Sequence, residues 1–269
     1  MNKKIKSEIL GLIRPRKEDS SKGDFGTLLT LCGSENMTGA AYLSATAALR
    51  SGVGLLRFCG NEETLAKMQK ILYEPVFLPL CDIQSAKRTA FLCGCGIGRC
   101  YDGILEDTLV NNDAVAVIDA DCINFLAMHI DVLERMKCPK ILTPHPGEMA
   151  RLCGTTVENI QSARERYASD FARKYDCILV LKGHETVIAD PSGSVAVNTS
   201  GSSALAKGGS GDVLAGVIAS LAAQGYPPIE AATLAVYIHG AAADRLAEEY
   251  GKSGVLPSDL PKEIGRILG

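Results

Sequence analysis

Short apolar runs recur along the chain, and each gives way to glycine or polar residues and then to a stretch with helical spacing. "TLLTLCGS" leads into "TGAAYLSATAALRSG", and "GLLRFCG" into "NEETLAKMQKIL", where Asn61 is placed to cap an acidic first turn. "TAFLCGCGIG" precedes "YDGILEDTLVNN", and "AVAVIDA" precedes "DCINFLAMHI". "PKILTPHPG" precedes "EMARLCG" and then "TVENIQSARERYASDFARKYD", whose spacing predicts one long helix begun by Thr156 or Asn159. In "CILVLKGHETVIADPSGSVAVN" the runs Cys177–Leu181, Thr186–Ala189 and Ser194–Val197 read as a strand followed by a hairpin. Two alanine-rich helices, "DVLAGVIASLAAQG" and "IEAATLAVYIHGAAADRLAEEYG", close the pattern.

Alternating strands and helices predict an α/β fold: a mainly parallel central sheet with helices on both faces. With no linker, repeat or low-complexity tract in view, one domain is expected over residues 1–269. Ligands of such sheets bind at the carboxyl ends of the strands. The residues expected there are Gly33-Ser34, the Gly94–Gly98 glycine turn, Asp119, the Thr143–Glu148 segment, Lys182-Gly183-His184, and the glycine loop at 208–211.

Composition narrows the partners. The formal charge is −3, with Lys+Arg 28 against Asp+Glu 31, so neither nucleic acid nor an anionic membrane is expected. No stretch reaches the length of a membrane span, and the opening "MNKKIKSEILGLIRPRKEDS" is interrupted by Arg14, Arg16 and Lys17, unlike a signal peptide. A cytoplasmic chain is therefore expected, with its 10 cysteines as thiols. Cys93, Cys95 and Cys100 have a C-x-C-x4-C spacing that matches no common zinc pattern, and they read as part of a buried strand end; no metal ligands are assigned.

Gly208-Gly209-Ser210-Gly211 stands directly before a helix that begins near Asp212. The first N–H groups of a helix lack partners and carry partial positive charge, and glycines let the backbone curl around an anion. A carboxylate beside a bound phosphoryl group is placed to take a proton from an attacking hydroxyl. Asp212 is thus read as a catalytic base, with Gly209, Ser210 and Gly211 steadying the phosphoryl charge. The Walker A order is missing here, and Gly94-x-Gly96-x-Gly98 is not a dinucleotide fingerprint.

"ALAKGGSGDVLAG" resembles the signature of the ribokinase-like carbohydrate kinase superfamily. Together with "GTLLTLCGSENMTGAAYLSATAALRSGVG", "VIDADCINFL", "ILTPHPGEMARL" and "VLKGHETVIAD", it resembles the ADP/ATP-dependent NAD(P)H-hydrate dehydratase family over roughly residues 20–250. The resemblance implies a ribokinase-like fold and a reaction in which ADP or ATP phosphorylates the hydroxyl of the S epimer of NADHX or NADPHX. Phosphate is then eliminated and NADH or NADPH restored. It places the nucleotide against Lys182, Gly183, His184, Glu185, Thr186 and Gly211, and the hydrate against Ala40, Gly96, His145 and Asp212. It also implies Mg2+ on the nucleotide, a homo-oligomer (commonly a tetramer), and a separate epimerase for the other epimer.

The pattern departs from that family at Thr199-Ser200-Gly201-Ser202-Ser203, where an asparagine is usual after the glycine; no role is carried to Ser202. Glu148 is read as a helix cap, Asp119 as lying near the substrate or a Mg2+-bound phosphate, and His129 and His239 as structural. Two other functions share the glycine loop: a kinase for a small alcohol or vitamin precursor, which the HPGE stretch disfavours, and a non-catalytic nucleotide sensor, which has no use for Asp212.

Overall fold

A computed structural model of the chain describes residues 3–269; Met1 and Asn2, the first residues of the basic opening segment, lie outside the described residues. Its strands are β1 (Lys3–Ile5), β2 (Thr27–Leu31), β3 (Leu55–Gly60), β4 (Val76–Pro79), β5 (Ala90–Cys93), β6 (Val115–Ile118), β7 (Lys140–Leu142), β8 (Ile178–Leu181), β9 (Val187–Ala189) and β10 (Val195–Asn198). They form one sheet in the order β1-β10-β9-β8-β7-β6-β5-β2-β3-β4. Only β9 runs antiparallel to its neighbours, β8 and β10, so the expected strand and hairpin are present in a mainly parallel sheet. The chain runs from β2 outward to β3 and β4, then returns to place β5 on the other side of β2. This reversal opens a crevice beyond the carboxyl ends of β2 and β5, where open α/β sheets hold their ligands.

The helices are α1 (Thr38–Arg50), α2 (Glu62–Met68), α3 (Asp102–Val110), α4 (Ala120–Met128), α5 (Asp131–Arg135), α6 (Pro146–Cys153), α7 (Val157–Ser162), α8 (Arg164–Tyr175), α9 (Ser210–Ala223), α10 (Pro228–Tyr250) and α11 (Leu260–Leu268). Strand residues alternate between two cores, one on each face of the sheet. Leu28, Ala90, Leu92 and Val117 join α1, α9, α10 and α11. Leu29, Leu31, Phe91, Cys93 and Ile118 join the face covered by α3–α8. Among the described residues, no helix is long and apolar enough to cross a membrane.

Asn61 caps α2 as expected, its Oδ1 accepting from the Thr64 N–H at 2.9 Å, and Thr156 caps α7 in the same way. The single long helix expected from residue 156 onward is instead two, α7 and α8, broken at Ala163 with φ −149°. The break frees Arg164 to turn toward the sheet, where its guanidinium donates to the Leu181 carbonyl at 3.0 Å and to the His184 carbonyl. Beyond the sequence pattern, the structure adds the short edge strands β1 and β4, the single-turn helix α5 and the terminal α11.

Helix α9 sits at the centre of its layer, pressed against α1. Gly216 makes this contact close, because a Cβ there would run into the Ser44 carbonyl and approach Ala47 Cβ to 3.1 Å. Gly216→Ala is expected to destabilise the chain by about 1–3 kcal/mol through overpacking. Chemical denaturation checks this; an unchanged midpoint would show that the α1–α9 contact is looser than described.

Candidate functional site

The glycine loop delivers the start of α9 to the carboxyl edge of the sheet. Gly209 has φ +103°, a left-handed conformation that glycine tolerates, and a Cβ there would stand 2.6 Å from Leu43 Cδ1. No side chain caps the helix. The Ser210 N–H is taken by the Lys207 carbonyl at 3.3 Å, while the Gly211 and Asp212 N–H groups have no main-chain partner. The free amides thus lie one residue further along than the glycines alone implied. They face outward with the positive end of the helix dipole behind them.

Asp212 stands on that first turn, and its carboxylate shares a small region with Cys95 Sγ and Asp119, the donor atoms of the three lying within 4.8 Å of one another. Burial, with the neighbouring Asp119 charge adding to it, pushes the Asp212 carboxyl up to about 6. Asp119, at the end of β6, is 1% exposed. Its Oδ1 accepts from Thr143 Oγ1 at 2.6 Å and from Lys182 Nζ at 2.6 Å, and its Oδ2 accepts from the Cys95 thiol at 3.7 Å. Four strand ends, those of β5, β6, β7 and β8, therefore meet on one carboxylate. Burial works against the Lys182 charge, but Asp119 and Glu148 outweigh it and hold the ammonium above its ordinary value. Lys182 was expected to contact phosphate; its ammonium is paired to Asp119 and stands close behind Gly211.

The HPGE stretch forms the start of α6. His145 Nδ1 accepts from the Gly147 and Glu148 N–H groups, at 3.0 and 3.3 Å, and Glu148 Oε2 accepts from the His145 N–H at 2.7 Å. The two residues cap the helix reciprocally, with Pro146 in the first turn. Glu148 has the capping role read from sequence, and its Oε2 also lies 3.8 Å from Lys182 Nζ; burial raises its carboxyl to about 6. Burial and the Lys182 charge lower the His145 pKa, so the ring is neutral near pH 7. With Nδ1 occupied as an acceptor, the proton of the neutral ring resides on Nε2, which lies 3.4 Å from Glu148 Oε1.

Ala40 opens α1 directly against Gly96: a Cβ on Gly96, whose φ is +66°, would meet Ala40 Cβ at 2.8 Å. The Gly33 N–H donates to the Cys95 carbonyl at 2.7 Å, linking the segments that follow β2 and β5. Cys93, Cys95 and Cys100 do not converge, since Cys93 Sγ lies 3.3 Å from Cys122 Sγ and Cys100 is exposed. His129 ends α4, its ring 4.6 Å from that of Phe125.

Lys182, Gly183, His184, Glu185, Thr186 and Gly211 all line one cavity of about 460 Å3 on the other side of the α9 turn. Leu205, Leu214 and Val236 give it apolar walls; Ser202 and His239 also line it. Ala40, Gly96 and His145 lie outside this cavity. Ser210 and Gly211 thus line the cavity together with the Lys182–Thr186 segment, whereas Asp212 stands with Cys95 and Asp119. Sequence reasoning placed Asp119, Thr143 and Cys95 at strand ends of the expected site but not in contact with one another, and it missed the Arg164 brace; both depend on contacts distant in sequence. It also placed His239 in the structural background.

The donor set around Asp212 does not make a resident magnesium site. A buried thiol and a carboxylate already paired to an ammonium are not the all-oxygen octahedral set that Mg2+ requires. Mg2+ fits this site only as a companion of nucleotide phosphates.

The raised Asp212 pKa has a consequence for stability. The carboxyl titrates near 6 when folded and near 3.8 as a free group, so its ionisation opposes folding, fully so above pH 6 and not at all below 3.8. Asp212→Asn is expected to melt a few degrees higher than the parent chain at pH 8, with the gain shrinking toward pH 4. Thermal unfolding across pH checks this; a lower Tm at pH 8 would place the carboxylate in a favourable environment instead.

A family model described as NAD(P)H-hydrate dehydratase matches residues 28–266. The chain is similar to the ADP-dependent (S)-NAD(P)H-hydrate dehydratase of Neisseria meningitidis, with 39% identity over 93% of this chain and 87% of that protein. It is also similar to the bifunctional NAD(P)H-hydrate repair enzyme Nnr of Moorella thermoacetica, with 40% identity over 94% of this chain. It spans about half, 51%, of that relative's length. Among solved structures, the ADP/ATP-dependent NAD(P)H-hydrate dehydratase of Bacillus subtilis, co-crystallized with ATP/Mg2+, superposes with a TM-score of 0.89 at 31% identity. That match covers 99% of this chain and 97% of the other. With its ribokinase-like α/β sheet, the chain belongs to the NAD(P)H-hydrate dehydratase family.

Proposed function

We propose that the chain dehydrates the S epimer of NADHX and NADPHX at the expense of ADP or ATP, restoring NADH or NADPH and releasing phosphate with AMP or ADP. The observations that support this reading are at the start of α9, where the Gly211 and Asp212 N–H groups lack main-chain partners, Gly211 lines the 460 Å3 cavity, and the Asp212 carboxylate lies close to Asp119 and Cys95. A nucleotide in the cavity presents its terminal phosphate to the Gly211 and Asp212 amides. A hydrate in the crevice presents its ring hydroxyl to the Asp212 carboxylate.

Asp212, ionised above about pH 6, takes the hydroxyl proton while the oxygen attacks the terminal phosphorus and the bond to the leaving nucleotide breaks. The free amides hold the charge on the transferring group. Phosphorylation turns hydroxide, a poor leaving group, into phosphate, a good one. The lone pair of the ring nitrogen expels it as the C–O bond breaks. The iminium so formed loses a proton from the adjacent ring carbon to the departing phosphate or water, which restores the ring double bond. His145 Nε2 donates a hydrogen bond to the hydrate at the mouth of the site. Asp119 positions Lys182 and keeps a second negative charge near Asp212, which supports a base that titrates close to neutrality.

Mg2+ arrives on the nucleotide. The chain works as one domain in the cytoplasm, as a homo-oligomer with four copies. A separate epimerase supplies the S epimer; the double length of the bifunctional relative supports such a companion activity.

Incubation with NADHX, Mg2+ and either ADP or ATP is expected to restore reduced-nicotinamide absorbance with stoichiometric orthophosphate. A stable phosphorylated product without that absorbance would make the chain a small-alcohol kinase. Asp212→Asn is expected to lower kcat by about 10²–10⁴-fold while nucleotide still binds; unaffected turnover would refute the base assignment. In the parent chain, kcat/KM is expected to fall about tenfold per pH unit below about 6 as Asp212 protonates, and a flat profile down to pH 5 would contradict it.

A further inference from the structure

Lys207 directly precedes the glycine turn, where a lysine reads at first as a partner for the anion. Its side chain is engaged elsewhere. Nζ donates to the Ser253 carbonyl at 2.7 Å and to the Val255 carbonyl at 2.5 Å, both in the loop at 251–259 between α10 and α11. The main chain of the same residue closes the turn. Its N–H donates to the Leu205 carbonyl at 2.8 Å, and its carbonyl accepts the Ser210 N–H at 3.3 Å. One residue thus joins the start of α9 to a loop 46 and 48 positions away.

The loop is a firm support. Val255 is 1% exposed and packs into the core shared by α1, α9, α10 and α11. The Gly254 N–H donates to the Gly251 carbonyl at 3.0 Å. The Leu256 N–H donates to Asp259 Oδ2 at 2.9 Å, and the Asp259 N–H returns to the Leu256 carbonyl at 2.9 Å. Pro257 of the same loop stands beside the turn, because a Cβ on Gly209 would lie 3.3 Å from Pro257 Cβ. The turn itself has little to hold it. Gly208 and Gly209 bring the backbone freedom of glycine, no side chain caps α9, and the main-chain bond from Ser210 is long at 3.3 Å. What fixes it comes from the neighbouring loop, through the Lys207 ammonium and the Pro257 ring.

Amides aimed at a developing charge lower a barrier only when they are fixed in place beforehand. A displacement of about 1 Å costs on the order of 10²-fold in rate. A lysine ammonium has three donors, and Lys207 has given two of them to carbonyls of a core-anchored loop. We infer that Lys207 is a positioning residue for the proposed reaction. It ties the glycine turn to the 251–259 loop and so fixes the Gly211 and Asp212 amides, without itself touching the nucleotide. The inference rests on the proposed function and adds the residue that holds its anion seat.

Two variants and one structure test it. Lys207→Met keeps the aliphatic stem and removes the donors. It is expected to lower kcat for NADHX with ADP by about 10–100-fold, while the ADP dissociation constant from calorimetry stays within about threefold of the parent. Lys207→Arg, which can still donate to both carbonyls, is expected to return kcat to within about threefold of the parent. Each chain is assayed well below its own Tm, so that lost stability alone does not lower the rate. A smaller loss of kcat in folded Lys207→Met would make the bond a contribution to stability alone and overturn the inference. A loss of ADP affinity as large as the loss of kcat, or an arginine variant as slow as the methionine one, would overturn it too. The structure needs no variant: a crystal of the parent chain with ADP and Mg2+. Lys207 Nζ is expected to stay on the Ser253 and Val255 carbonyls while the terminal phosphate sits on the Gly211 and Asp212 amides. An ammonium moved onto that phosphate would overturn the inference and leave the proposed function standing. A terminal phosphate seated away from those amides, or no turnover of NADHX by the parent chain, would remove both.

Discussion

The first turn of α9 meets two demands that oppose each other. It must leave amides unpaired for an anion, and it must hold a carboxylate where burial and a second carboxylate disfavour ionisation. Two features keep both in place. Left-handed Gly209 turns the chain sharply into the helix, and Gly216, about two turns further on, locks that helix against α1. In the proposed function the free amides receive the phosphoryl group and Asp212 serves as the base; its side chain makes no capping bond to the helix. The positive helix end and the buried Lys182 ammonium offset the crowding of carboxylates without pairing Asp212 directly.

The sheet supplies the second half of the arrangement. The reversal at β2 and β5 sets the switch point of the sheet, while the turn after β8, the loop before α9 and the α10 helix line the 460 Å3 cavity. Asp119 joins the two. By receiving Thr143, Lys182 and Cys95 at once, it fixes the ends of four strands relative to one another. Breaking such a buried pair would leave an uncompensated charge, which is why the arrangement is rigid. The Arg164 brace fixes the turn after β8 in the same sense, and it exists only because the helix is interrupted at Ala163.

Much of this was legible in the sequence because the signals are local. Apolar runs ending in glycine marked the strands, and the glycine loop before an apolar helix marked a helix start whose first amides lack main-chain partners. What was not legible depends on distance or on small local energies. Lys182 and Asp119 lie 63 positions apart, and only the sheet order makes them partners. The break at Ala163 has no glycine or proline to announce it, because the stabilising contact is made by the next residue with a distant turn. β1 is three residues at a sheet edge, too short for any periodicity. His239 sits in an alanine-rich helix where a buried histidine reads as packing; its place on the cavity wall is visible only once the fold is formed. Ser202, where the family pattern has asparagine, lines the same cavity.

The central claim is geometric, and a crystal of this chain with ADP, Mg2+ and a non-reactive analogue of the hydrate tests it most directly. The account predicts the terminal phosphate on the Gly211 and Asp212 amides, with the Asp212 carboxylate within hydrogen-bond reach of the ring hydroxyl. A phosphate seated elsewhere, with that carboxylate turned away from the alcohol, would contradict it.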